Sequence, residues 1–217
     1  MHNKFLNMSE TRIERKLASL MCVIFATHLV VLLFGMYAGA IMYKIGPKVF
    51  NIGSVILDFP IISCAFIIAS NKNLFVTPAA RIASWIFFGL QTFSLFNTLC
   101  YIVFDNNIPG LIGSTANLFF PIIFACSIIW FYASLRMWLP LKIVSIISAL
   151  PPIASGILLY QVVDKDFSDD LMPIYYAIGT TVMINAALYA IALILSIIWA
   201  ARKPLAPHAQ SNPIDII

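Results

Sequence analysis

Asp58 stands in the stretch VILDFPII (55–62), two residues ahead of Pro60 and otherwise among aliphatic and aromatic side chains. A carboxyl group in such surroundings escapes the cost of a buried charge by pairing with a cation or by holding its proton. Either state makes it a candidate proton carrier. His28 is the ionisable side chain expected at a similar depth that could pair or exchange a proton with it. Gln91, Asn97, Asn117 and Asn185 complete a set of polar residues at related positions in separate apolar stretches, and the whole set is the candidate substrate or proton site. Four prolines accompany them: Pro60, Pro121, Pro151 and Pro152. Each lacks an N–H, so the carbonyls of Ile56, Asn117, Ile147 and Ser148 lose their helical partners and offer acceptors where polar groups already gather.

The elements that must position these residues follow from composition. A chain of 217 residues that is 61% hydrophobic and 10% charged, with mean hydropathy +0.95, has too few charges to coat a water-soluble globule. Six apolar runs, at 17–43, 50–70, 82–104, 111–135, 139–160 and 173–200, each come near the ~20 residues that a spanning helix needs. The expected fold is an all-α integral membrane protein. It is a compact bundle of six transmembrane helices over 17–201, with a basic N-tail (1–16), a C-tail (202–217), and helices 2, 4 and 5 interrupted by proline near the midplane. The runs are continuous rather than alternating, which disfavours a β-barrel. Turn signals at KIGPK (44–48), NKN (71–73), DNNIPG (105–110) and RMWLPLK (136–142) keep most connections short, so consecutive helices should pack as antiparallel neighbours.

Charge then sets orientation. Lys4, Arg12, Arg15, Lys16, Lys72, Arg81, Arg136, Lys142, Arg202 and Lys203 fall on one side of such a bundle, and Lys44, Lys48 and Lys165 on the other. Lys and Arg resist translocation, so both termini are expected in the cytoplasm, and the membrane would be the plasma (inner) membrane if the source is bacterial. The four tryptophans, Trp85, Trp130, Trp138 and Trp199, lie near the same predicted ends, as an interfacial belt would. This topology accounts for the net charge of +4 without calling on nucleic acid. The AGA at 38–40 has the form of a signal-peptide cleavage site, but the apolar run ahead of it exceeds a normal leader core and is read as the first helix. GMYAG (35–39) is a GxxxG that predicts close approach of a neighbouring helix.

At ~1.5 Å per residue, Asp58 lies about 12 Å from the entry of helix 2, near the middle of a ~30 Å hydrocarbon core. A charge there costs ~2.5–3.5 kcal/mol on insertion scales. Gln91, Ser94, Thr98 and Tyr101 recur at helical spacing, as do Thr181, Asn185 and Tyr189, so both lines should face inward. Such stripes also serve simply to hydrogen-bond helices together. Other features predict less. Cys22, Cys64, Cys100 and Cys126 lie on four helices without metal-ligand spacing. DKDFSDD (164–170) is acidic but lacks the spacing of an EF-hand. IGSVILDFPII (52–62) echoes IGSTANLFFPII (112–123), which suggests a parallel internal repeat.

No motif for zinc hydrolysis, nucleotide phosphates, paired haem ligands or paired carboxylates is present, so neither catalysis nor a bound cofactor or metal is expected. The expected partners are the lipid bilayer and a small solute or proton. The leading expectation is a small transporter or channel with a protonatable midplane site, because interrupted helices beside polar side chains are how many transporters build one. The alternatives are a non-catalytic membrane subunit, scaffold or assembly partner, and a lipid-modifying enzyme acting through Asp58.

Overall fold

A computed structural model describes residues 2–45, 47–104, 114–161 and 171–202, with the side chains of 2–12, 37–51 and 114–121 and a few single positions outside the description. Those residues are helical nearly throughout. In chain order the helices are α1 (His2–Ile45), α2 (Pro47–Ser70), a 3-10 turn (Lys72–Leu74), α3 (Arg81–Phe104), α4 (Ser114–Ser134), α5 (Leu139–Ile147), α6 (Leu150–Tyr160) and α7 (Met172–Ala201). Four stretches are long and apolar enough to cross a membrane: Ile13–Met36, Arg81–Cys100, Leu139–Leu158 and Met172–Ala201. Val55–Ser70 and Ile122–Ser134 are shorter apolar stretches among the described residues.

Local sequence explains where the helices start and stop. Proline, whose missing N–H would be an orphan there in any case, occupies the first turn of α2 (Pro47), α5 (Pro140) and α7 (Pro173). The 3-10 turn is opened by Asn71, whose side chain accepts from the Asn73 N–H at 3.2 Å. Thr77 closes the approach to α3 in the same way, its hydroxyl accepting from the Ala80 N–H at 3.2 Å.

The prolines act differently from one another. Helix α2 continues through Pro60 and α4 through Pro121, each losing a hydrogen bond without losing helical backbone. The chain leaves the helix only between Ile147 and Leu150, just ahead of Pro151 and Pro152. There the Ser148 N–H still reaches the Val144 carbonyl at 2.9 Å, but the Ala149 N–H turns to Ile146 at 3.1 Å, a tighter turn. Two adjacent prolines remove two consecutive donors and set two rings against the preceding turn, twice what a single proline imposes.

Packing follows the chain. Helix α1 lies against α2 and α7, α2 against α3, α3 against α4, α4 against α5 and α6, and both of these against α7. The buried face of α1 is Leu17, Met21, Ile24 and Phe25, and that of α2 is Ile61, Ala65 and Ile68. Phe87 stacks on Phe131 at 4.3 Å between ring centroids, joining α3 to α4, and Phe25 stacks on Tyr132 at 5.7 Å, joining α1 to α4. The outer surface is apolar on every helix, with Ile56, Val103 and Tyr176 more than 60% exposed, which suits a lipid solvent.

A Cβ on Gly53 would sit 2.8 Å from the tip of the Phe34 ring, so that ring must shift to admit a side chain there. A Cβ on Gly35 of the GxxxG would meet no atom within 4 Å among the described residues, and the surroundings of Gly39 lie outside them. Trp199 departs from the interfacial belt: it is 7% exposed and packs in the core, while Trp85 and Trp130 remain exposed.

Burial is uneven along the bundle. Nearly every fully buried side chain belongs to the half of the bundle next to the connections at 71–80 and 135–138, which carries Lys72, Arg81, Arg136, Lys142 and Arg202. On α2, α3 and α4 the buried zone runs from that end to Ile61, Gln91 and Ala125, about ten residues or ~15 Å. Beyond it the described side chains of α1, α2 and α3, and those of α6 other than Pro151, are half-buried or exposed, including those on the inward faces.

Candidate functional site

The buried half ends in a polar layer. Helix α7 supplies Asn185 and Tyr189, which share a stripe with Ala192, Ser196 and Trp199 at spacings of four and three. Asn185 is 6% exposed, and its Oδ1 is buried without a hydrogen-bond partner among the described residues. The Tyr189 hydroxyl lies within hydrogen-bonding reach of the Asn185 and Ser148 side chains. Ser148 is the residue at the α5–α6 break, and its own hydroxyl donates to the Ser145 carbonyl at 2.7 Å. The two prolines therefore matter to the site indirectly: they turn the chain at 148–149 and so fix where the Ser148 hydroxyl meets α7.

His28 enters from α1. Its ring centroid is 4.9 Å from that of Tyr189, and its Nδ1–H donates to the Ile24 carbonyl at 2.9 Å. With Nδ1 donating, Nε2 is the acceptor of the neutral ring. Tyr132 of α4 completes the group beside Phe25, whose ring is also 6.1 Å from Tyr189. The Asn185 Oδ1 is an acceptor without a partner among the described residues, and the His28 Nε2 is an acceptor in the neutral ring.

Gln91 is 5% exposed and lies on the stripe of Ser84 and Phe87 on the inward face of α3. Ser94 and Thr98 extend that face outward, half-buried, with the Thr98 hydroxyl donating to the Ser94 carbonyl at 3.1 Å. Asn97 is half-buried on another side of α3, where it has a partner. A hydrogen bond between the hydroxyls of Ser155 and Thr181 ties α6 to α7 one turn above Asn185. Thr181 also donates to its own helix at Ile178.

Asp58 continues the buried face of α2, one turn beyond Ile61, and is half-buried. Among the described residues it has neither an ion pair nor a hydrogen bond, and His28 is engaged with α7 rather than with it. The side chains of Asn117, Pro121 and Tyr101 and the whole acidic loop 164–170 lie outside the described residues. The structure sets the His28 ring against Tyr189, one turn along α7 from Asn185.

Three members of the cluster were not singled out as site residues from sequence: Tyr132, Ser148 and Tyr189. The signal for Tyr189 was its spacing of four from Asn185. For Ser148 it was the two prolines three and four residues downstream. Tyr132 carries no sequence signal, since its neighbours on α1 and α7 are distant in the chain. Among the described residues no group of three or more His, Cys, Asp or Glu could hold a metal ion. The cysteines are free and separate.

No protein-family model matches the chain, and neither does any curated protein or solved structure.

The chemistry available here is hydrogen bonding and proton exchange at a buried polar floor. Above that floor the inward faces carry Asp58, Ser94 and Thr98 in partly open surroundings.

Proposed function

We propose that the protein is a six-span membrane transporter for a small polar solute, in which the half opposite the basic loops is the solute's entry. The observation that carries this reading is the asymmetry of burial about a polar floor. Among the described residues, the basic half is closely packed and the inward polar side chains of the other half are incompletely covered. A bundle glued by polar contacts alone has no need of such a difference, whereas alternating access requires one closed and one open half around a central site.

Six spans follow if α2 and α4 cross as well. With 24 and 21 residues they are about 36 and 32 Å long, enough for a ~30 Å core. The basic end then faces the cytoplasm. In this reading Asn185 and the Tyr189 hydroxyl recognise the donor groups of the solute, and Asp58 on the α2 wall carries the coupled proton. Lipid is the surrounding partner, and no catalytic step is part of the reading.

The test is flux into liposomes holding the purified protein, with a trapped pH dye, an imposed potential and a panel of small hydroxylated, amino and amide solutes. Flux in the parent that Asp58→Asn uncouples from protons, and that Asn185→Leu abolishes, is the expected result. Flux unchanged in both variants overturns the assignment of the site. Absence of flux across the panel favours a non-catalytic membrane subunit whose polar layer only sets helix register.

A further inference from the structure

The connections at the basic end do not behave as surface loops. Leu74 ends the 3-10 turn and Phe75 and Leu135 lie between helices, yet they are 0%, 1% and 0% exposed and belong to the main core. Connecting segments normally run over the surface because their backbone groups need water or partners. Here the two loops partner each other. The Val76 N–H donates to the Ser134 carbonyl at 2.9 Å, and the Arg136 N–H donates to the Leu74 carbonyl at 2.9 Å. Phe75 and Leu135 face each other across this antiparallel bridge. The Arg136 Nε–H adds a third bond, to the Phe75 carbonyl at 2.6 Å.

We infer that the paired segments 74–76 and 134–136 are the gate at the basic end, a strap whose apolar side chains plug the bundle and whose release opens the polar floor to that side. The inference rests on the transport reading. Three features fit a gate better than a permanent seal. The plug is built on loops, which can move without breaking helical hydrogen bonds. It joins the α2–α3 connection to the α4–α5 connection, so parting the strands separates two helix pairs at once. Its bonds all end on neutral main-chain carbonyls, and no ion pair locks it among the described residues.

The bridge geometry supplies its own test. The bonded atoms flank Phe75 and Leu135, making them a non-hydrogen-bonded antiparallel pair, the arrangement with Cα atoms about 4.5 Å apart. That separation lies within the range that a disulfide spans. The full chain, with its four native cysteines replaced by alanine, would carry Phe75→Cys, Leu135→Cys and a reporter, Ser145→Cys, at a fully buried position of α5. The readout is maleimide labelling counted only at residue 145, by mass spectrometry of the peptide that carries it, with the reagent applied from the basic side of oriented vesicles.

The expected result is slow labelling with the strap reduced and at least tenfold slower labelling after oxidation, restored by dithiothreitol. In a second background that keeps Phe75 and Leu135, Arg136→Gln removes one strap bond without touching the core and should speed labelling severalfold. Labelling that is absent even from the reduced protein and the Arg136→Gln variant, or equal with the strap open and crosslinked, overturns the gate. The reporter needs no solute, so a panel that gives no flux tests the transport reading alone and leaves this measurement intact.

Discussion

The ring of His28 on α1 lies 4.9 Å from that of Tyr189 on α7, and the Tyr189 hydroxyl reaches Asn185 and Ser148, so one side chain joins three helical segments at the polar floor. Tyr189→Phe keeps the ring and removes the hydroxyl. The Asn185 side chain then loses a partner while its Oδ1 is already without one, so the variant should lose about 1–3 kcal/mol of stability. Thermal unfolding in detergent checks this, and a melting temperature equal to that of the parent would sink the network.

Asp58 is expected to behave in the opposite way. Having no partner among the described residues, it should accept Asn with a change in stability within about 0.5 kcal/mol. Asp58→Leu should be neutral or stabilising, since it replaces an unpaired polar group on an inward apolar stripe. Melts of the three proteins side by side give the answer. A loss of several kcal/mol in the Leu variant would mean that Asp58 holds the bundle together and is not a free carrier.

The two glycines make a paired prediction. Gly53→Ala drives a methyl group into the Phe34 ring and should cost about 1–3 kcal/mol as the α1–α2 seam opens. Gly35→Ala meets nothing and should gain up to about 1 kcal/mol from helix propensity. Equal effects from the two substitutions would contradict the observed α1–α2 seam.

Ser155 and Thr181 can be weighed by a double-mutant cycle to alanine. Side-chain hydrogen bonds between membrane helices average about 0.6 kcal/mol, and a coupling of that size is expected here. A coupling of zero would show that the α6–α7 seam is held by packing alone.

The helices were legible in the sequence because apolar runs of spanning length leave few other solutions; six of the seven lie within three residues of an expected run, while α1 starts at His2 and takes in most of the expected N-tail. The site was legible only where its signal is local. Asn185 and Tyr189 show themselves by spacing on one helix, and the two prolines mark the break at Ser148. The pairing of His28 with Tyr189 rather than with Asp58 depends on how α1 rotates between α2 and α7, which depth arguments do not contain. Gly53 meets the Phe34 ring of α1, a contact that no motif marks, because the partner side chain is set by packing and not by spacing. The buried strap at Phe75 and Leu135 was invisible for a related reason: a short connection between hydrophobic helices reads as surface unless its partner loop is known.

Arg81 donates to the Ala69 carbonyl at 2.5 Å, Arg136 to Phe75 at 2.6 Å and Lys142 to Ala133 at 3.1 Å, and Arg202 lies 3.8 Å over the Trp138 ring. These four cations are held by peptide dipoles and an aromatic face, and none is neutralised by a carboxylate among the described residues. Their positive potential is therefore projected outward undiminished. At roughly 1 kcal/mol for each basic residue, these groups are expected to draw anionic headgroups to that end where it meets a negatively charged leaflet.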